Sequence, residues 1–292
     1  MHLRSRLTHL YGRLRVFLEA IRLRNCLIVY FGVLVGATVT LAKLPLDLDV
    51  HLAAAAAFLI TGGGNAINDY FDIDIDRINK PERPLPSNRM SKSDVLMLSL
   101  TMFFVGLWIS KYVNTYCAFI AVVNAAALIL YAKFSKNILI VSNFVISYLV
   151  ASVFIFGAFS AFDGPIWKAP FIGILAVLAA CAFFMTFSRE IVKDIEDIEG
   201  DKKSNARTLP IVVGMKKSRY VAILFAAVAI LLSFLPVVLP LGEFNTGIYK
   251  KLIIPADSVF IAALTLSPKK SQRVMVLSMV FALVAFFLGN LA

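Results

Sequence analysis

Apolar positions in this chain come in long unbroken runs, not in alternation. Nine runs read as membrane-crossing helices: residues 25–43, 51–69, 92–111, 114–133, 138–160, 166–188, 218–240, 251–267 and 271–291. A helix needs ~20 apolar residues to cross the hydrocarbon core, and these runs are near that length. The dyad alternation of a membrane barrel is missing from the sequence. The pattern therefore predicts an all-α, polytopic membrane bundle of about nine transmembrane helices, 1–292 forming one integral-membrane domain. The eighth run is the least regular, because Pro255 and Asp257 fall within it. Ahead of the first run, Leu3, Leu7, Leu10, Leu14, Phe17, Leu18 and Ile21 recur at helical spacing with arginines between them. Residues 3–23 are thus expected to lie as an amphipathic helix on the membrane surface and not to act as a signal peptide.

Composition narrows the class further. Of 292 residues, 60% are hydrophobic and 16% charged, whereas a soluble domain has about 45–50% apolar and about 25% charged residues. That excludes a soluble globule, a disordered chain and a disulfide-stapled scaffold. The net charge of +11 does not indicate nucleic acid, because the charges flank apolar runs and do not cover one face. With the N-terminus placed in the cytoplasm, 24 of the 29 Lys and Arg fall on the cytoplasmic side, Lys133 and Lys136 among them. Lys43, Lys111, Lys168, Lys250 and Lys251 remain outside. This asymmetry is what the positive-inside rule requires. Cys26, Cys117 and Cys181 lie far apart in apolar stretches and read as small buried hydrophobes. Gly62-Gly63-Gly64 lacks the Lys-Ser/Thr of a phosphate loop and predicts close helix packing.

The acids are concentrated. Eleven of the 18 Asp and Glu fall in two short segments, after the second and sixth runs, on the same side of the membrane in this map. This repetition suggests two pseudo-repeated four-helix halves under a cytoplasmic loop cap. In the first segment Asn68, Asp72 and Asp76 are spaced i, i+4, i+8 and share one helix face. In the second, Glu190, Asp194, Asp197 and Asp201 fall at about 0°, 40°, 340° and 20° on a continuous helix. Carboxylates in a row repel one another, and a divalent cation offsets that repulsion. Carboxylate and amide oxygens are hard ligands that suit Mg²⁺, which commonly binds one or two carboxylates together with substrate phosphates. Lys80, Arg83 and Arg89 follow the first segment, and Lys193, Lys202 and Arg207 surround the second. Carboxylates, Mg²⁺ and Lys/Arg together point to a diphosphate substrate.

At these residues the chain resembles the UbiA superfamily of intramembrane prenyltransferases. The family motif NDxxDxxxD matches Asn68, Asp69, Asp72 and Asp76, and DxxDxxxD matches Asp194, Asp197 and Asp201. The resemblance implies that Asn68, Asp72, Asp76, Asp194, Asp197 and Asp201 hold two Mg²⁺ ions bridging an isoprenyl diphosphate. Asp72, Asp76, Asp194, Lys193 and Tyr131 would then serve the chemistry. Arg22, Asn25, Lys80, Arg83, Asp69 and Tyr70 would contact the substrates. Aromatic faces such as Tyr70 and Tyr131 are candidates to stabilise an allylic cation. Asn79-Lys80-Pro81-Glu82-Arg83-Pro84 and Arg207-Thr208-Leu209-Pro210 look like the archaeal ether-lipid branch. Members of that branch add a second geranylgeranyl group to geranylgeranylglyceryl phosphate. The implied partners are a prenyl diphosphate, an amphipathic lipid acceptor and membrane lipid, with no nucleic acid and no obligatory protein partner.

Other functions remain open at this point. An aromatic acceptor, as in quinone or haem assembly, would use the same motifs. A cation transporter would place its acids near mid-membrane and without conspicuous Lys and Arg beside them. A CDP-alcohol phosphotransferase would need an Asp-Gly-x-x-Ala-Arg opening, which the sequence lacks.

Overall fold

The computed structural model describes residues 2–134, 139–162, 164, 171–203, 206–239, 241 and 244–291. Among them the ordered elements are all helices. In chain order they are α1 (His2–Ala20), α2 (Leu23–Leu41), α3 (Leu48–Phe71), α4 (Ile73–Asn79), α5 (Lys92–Val113), α6 (Thr115–Phe134) and α7 (Val141–Ser160). There follow α8 (Ile172–Glu196), α9 (Ile198–Lys203), α10 (Leu209–Val213), α11 (Met215–Ser233), α12 (Leu235–Val238), α13 (Thr246–Ala263) and α14 (Pro268–Leu291). Among the described residues eight helical segments are long and apolar enough to span a membrane. The helix α13 is 18 residues long but carries Lys250, Lys251 and Asp257, and is not among those eight. The protein is a multi-pass membrane protein.

Several boundaries differ from the hydropathy map for identifiable reasons. The sixth run was expected to end at 188, yet α8 continues to Glu196. Hydropathy falls where Arg189 and Glu190 begin, but backbone hydrogen bonding continues because no Gly or Pro interrupts it before Gly200. The seventh run divides into α11 and α12, since Pro236 has no N–H to continue the ladder. The eighth starts at Thr246, not 251, with the Asn245 side chain accepting the Ile248 N–H at 3.0 Å as its cap. Residues 138, 166–170 and 240 of the expected runs, and Lys136 and Lys168 of the charge map, lie outside the described residues. So do the side chains of Leu3, Leu7 and Leu10.

The chain divides into two compact units. The first comprises residues 1–31 and 54–134. Its helices approach closely along the glycines of α3. A Cβ on Gly62 would collide with the Met102 side chain of α5, and one on Gly64 would come within 2.8 Å of Leu128 of α6. Ser99 of α5 donates its hydroxyl to the Gly63 carbonyl at 2.8 Å. The glycine triplet is therefore a packing surface, as expected. Ile21, Cys26 and Met102 form a small buried cluster under the α1–α2 turn. Leu85 packs with Ala66 and Val95, which fixes the 80–91 loop to α3 and α5.

The second unit comprises residues 32–53 and 135–292. In a bilayer, helices associate through close packing and polar contacts more than through hydrophobic transfer. Gly36 of α2 and Gly157 of α7 show this. A Cβ at Gly36 would overlap the Phe154 carbonyl, and one at Gly157 would overlap the Val33 carbonyl. Ala222, Ala226 and Ala229 give α11 a small-residue stripe of the same kind, and Ser188 of α8 donates to the Ala222 carbonyl at 2.8 Å. Phe187 stacks on Phe225 with ring centroids 4.3 Å apart. A polar knot sits where α11 ends. The Ser233 hydroxyl lies 2.6 Å from the buried Asp257 carboxyl and 2.7 Å from the Ile230 carbonyl. Tyr249 donates to the Ser233 carbonyl at 2.8 Å. Cys26, Cys117 and Cys181 are buried and not disulfide-bonded, as read from their surroundings in the sequence.

Candidate functional site

Each acidic motif straddles a helix break, where a single continuous helix was expected. In the first unit α3 ends at Phe71, Asp72 stands alone, and α4 starts at Ile73. The ladder is nevertheless unbroken on this strip. The Asp72 N–H donates to the Asn68 carbonyl at 2.9 Å, Asp76 to Asp72 at 2.8 Å, and Lys80 to Asp76 at 2.8 Å. The i, i+4 relation of Asn68, Asp72 and Asp76 thus survives the break. Asn68 also donates its side-chain amide to the Asp72 carboxylate at 2.9 Å.

Asp69 lies on the neighbouring face and is buried at 4% exposure. Two guanidinium groups hold it: Arg22 from the α1–α2 turn at 2.5 Å and Arg83 from the 80–91 loop at 3.0 Å. Arg83 reaches Asp76 as well, at 2.6 Å. A buried carboxylate is stable only when paired and hydrogen-bonded, and two arginines supply that here. Four residues singled out from the sequence, Arg22, Asp69, Asp76 and Arg83, therefore form one ion-pair network. Arg89 joins the surface part of this region, donating to Glu19 at 2.6 Å and so holding the Glu19 carboxyl below the usual glutamate range.

The remaining first-unit candidates are more dispersed. Tyr70 packs edge-on against Phe71, and the Lys92 ammonium sits 4.7 Å from the centre of the Tyr70 ring. One face of this ring therefore already carries a cation. Asn25 is exposed on the first turn of α2, Lys80 is exposed at the end of α4, and Tyr131 is half-buried near the end of α6.

In the second unit α8 ends at Glu196, Asp197 interrupts, and α9 follows. Asp197 donates its N–H to the Lys193 carbonyl at 2.9 Å, and Asp201 to Asp197 at 2.9 Å. Glu190 is buried and paired with its neighbour Arg189 and with Lys193, the latter at 3.3 Å. Asp194 accepts from the side-chain amide of Asn143 on α7 at 2.8 Å. Glu196 accepts from Gln272 of α14 at 2.5 Å. Asp197 is exposed and Asp201 half-buried.

Sequence reasoning passed over Asn143, Gln272 and Asn65. The signal for Asn143 was present: an amide inside an apolar run has to find a polar partner within the protein. The signal for Asn65 was hidden beside the more conspicuous Asn68.

The donor set fits Mg²⁺, since Asn68, Asp72, Asp194, Asp197 and Asp201 offer only hard oxygens in the quarter of each motif. Among the described residues no three His, Cys, Asp or Glu side chains form a ready-made metal cage. A hard cation held jointly with substrate phosphates does not need one.

Comparison with known proteins adds to this geometry. The UbiA prenyltransferase family profile matches residues 29–291. A digeranylgeranylglyceryl phosphate synthase from Methanosarcina mazei is 39% identical over 293 residues, covering 94% of this chain and 98% of the relative. One from Thermococcus kodakarensis is 34% identical over 285 residues, covering 95% and 98%. A solved structure of a digeranylgeranylglyceryl phosphate synthase in membranes aligns with a TM-score of 0.77 at 36% identity, covering 95% of this chain and 98% of that one. A UbiA homologue from Archaeoglobus fulgidus, bound to GPP and Mg²⁺, shares the fold with a TM-score of 0.71 at 15% identity, covering 95% and 100%. Two broken-helix acidic motifs in an all-helical membrane fold, matched over nearly the whole chain, have one explanation: the chain belongs to the UbiA prenyltransferase family and is a membrane prenyltransferase.

Proposed function

We propose that this prenyltransferase transfers a geranylgeranyl group from its diphosphate to geranylgeranylglyceryl phosphate, with Mg²⁺, forming an ether bond of archaeal-type membrane lipid. The supporting observation is similarity along nearly the entire chain, at 39% identity, to a relative of that activity. Residues 1–292 are read as one integral-membrane prenyltransferase domain, with the N-terminus and the acidic motifs on the cytoplasmic side.

In this reading Asn68, Asp72, Asp76, Asp194, Asp197 and Asp201 are the residues that would hold Mg²⁺ (two ions), and the metal when bound would supply positive charge toward the diphosphate. Arg22, Arg83, Lys80 and Lys193 supply further positive charge to the phosphates. Asp69 pairs with both Arg22 and Arg83, and in this reading orients them toward the phosphates. Asn25 contributes an exposed amide beside Arg22. The donor's carbon–oxygen bond breaks, leaving an allylic cation that the Tyr131 ring and the face of Tyr70 opposite Lys92 shield from water. The acceptor hydroxyl oxygen bonds to that carbon, and its proton is released.

Purified protein incubated with Mg²⁺, geranylgeranyl diphosphate and geranylgeranylglyceryl phosphate should yield the doubly alkylated lipid by mass spectrometry. Asp72→Ala should abolish it. Diphosphate release only with an aromatic acceptor such as 4-hydroxybenzoate would overturn the acceptor assignment. No turnover of any prenyl diphosphate by folded protein would overturn the whole reading.

A further inference from the structure

Arg22 has a backbone conformation that few residues adopt. Its φ is 53°, in the left-handed region that favours glycine. A side chain persists there only where the surroundings fix it. Here the surroundings are specific. The carbonyl of Ile21, just before Arg22, accepts the side-chain N–H of Asn65 at 2.9 Å and the thiol of Cys26 at 3.1 Å. The carbonyl of Arg22 accepts the Asn25 N–H at 2.8 Å. Ile21 and Cys26 are buried at 1% and 0% exposure.

Asn65 and Asp69 lie one turn apart on α3 and so share a face. One grips the backbone of the turn, and the other grips the Arg22 side chain. We propose that Asn65 is a positioning residue for the prenyl-transfer reaction: its amide pins the Ile21 carbonyl, and that pin holds Arg22 in the left-handed turn from which its guanidinium reaches the first acidic motif. Glycine would take the same backbone angle without help but would bring no guanidinium. The pin is what allows a charged residue to stand at that point. The proposal rests on the prenyltransferase reading only in assigning Arg22 to the diphosphate.

Two measurements on full-length protein decide it. The first is independent of turnover. Cys26 shares the Ile21 carbonyl with Asn65, so loosening the turn exposes the thiol. Maleimide labelling mapped by mass spectrometry should show Cys26 reacting about tenfold faster in Asn65→Ala and Asn65→Asp than in the unsubstituted protein. Asn65→Asp keeps the size and loses the donor, and so serves if Asn65→Ala does not fold. An unchanged rate overturns the pin. The second is a double-mutant cycle on kcat/KM for the prenyl diphosphate. Asn65→Ala should lower it about tenfold in the unsubstituted protein and less than about twofold in Arg22→Ala. Equal factors in both backgrounds would show that Asn65 does not act through Arg22. If the unsubstituted protein turns over no prenyl diphosphate, the functional reading fails, and the Cys26 measurement still decides the pin.

Discussion

Asp72 and Asp197 break their helices with nearly the same backbone angles, φ −92° and ψ 6° for Asp72, φ −87° and ψ 3° for Asp197. Each is the middle acid of a DxxDxxxD motif, and each accepts, on its own carbonyl, the N–H of the last acid of that motif. The equivalence predicts equal sensitivity. Asp72→Asn and Asp197→Asn should each lower kcat/KM for the prenyl diphosphate by about 10²–10³, the scale of losing one transition-state charge contact. Melting temperatures in detergent should stay close to that of the unsubstituted protein. A variant that keeps full turnover would remove its residue from the metal site.

Chelation should separate chemistry from stability. Asp69 and Asp76 are held by arginines, and Asp194 by Asn143. These carboxylates do not depend on a metal for a partner. EDTA should therefore abolish turnover while thermal unfolding hardly shifts, and Mg²⁺ should restore activity. A large drop in melting temperature on chelation would mean that the ion holds the fold.

Gly157→Ala should be costly. The new methyl would overlap the Val33 carbonyl, which belongs to a helix backbone and cannot swing aside. Overpacking of this kind costs about 1–3 kcal/mol. Gly12→Ala is the matched control, because a Cβ there meets nothing within 4 Å. Thermal unfolding of the two variants side by side should show a clear loss for the first and none for the second.

Asp257→Asn should stabilise the protein. The Asp257 Oδ1 atom is buried with no hydrogen-bond partner among the described residues. An amide keeps the contact with Ser233 and removes a carboxylate that burial penalises. Asp257→Leu should destabilise, because Ser233 then loses a partner inside the membrane. A lower melting temperature for Asp257→Asn would contradict this account.

The eight spans found among the described residues were legible because bilayer thickness sets a length that hydropathy records directly. The acidic motifs were legible because unlike charges at fixed spacing in so apolar a chain are conspicuous. Two features were hidden for physical reasons. The breaks at Asp72 and Asp197 leave the i, i+4 spacing intact, so periodicity reads straight through them. The role of Asn65 depends on a left-handed turn 44 residues away in sequence, and no pattern around Arg22 announces that turn. The burial of Asp69 between two arginines was equally invisible, since Asp69 stands beside Asn68 in the same motif and only the fold buries the one and leaves the other half-buried.

The close approach of Gly36 to the Phe154 carbonyl, and of Gly157 to the Val33 carbonyl, also bears on motion. Where backbone meets backbone there is no rotamer to change, so this stretch of α2 and α7 moves as one body. Entry and exit of a prenyl chain must then draw on elements joined by side chains. Any opening that a substrate uses should leave the distance between these two helices constant, and a spin-label pair placed across them should report a single narrow distance in every step of the cycle.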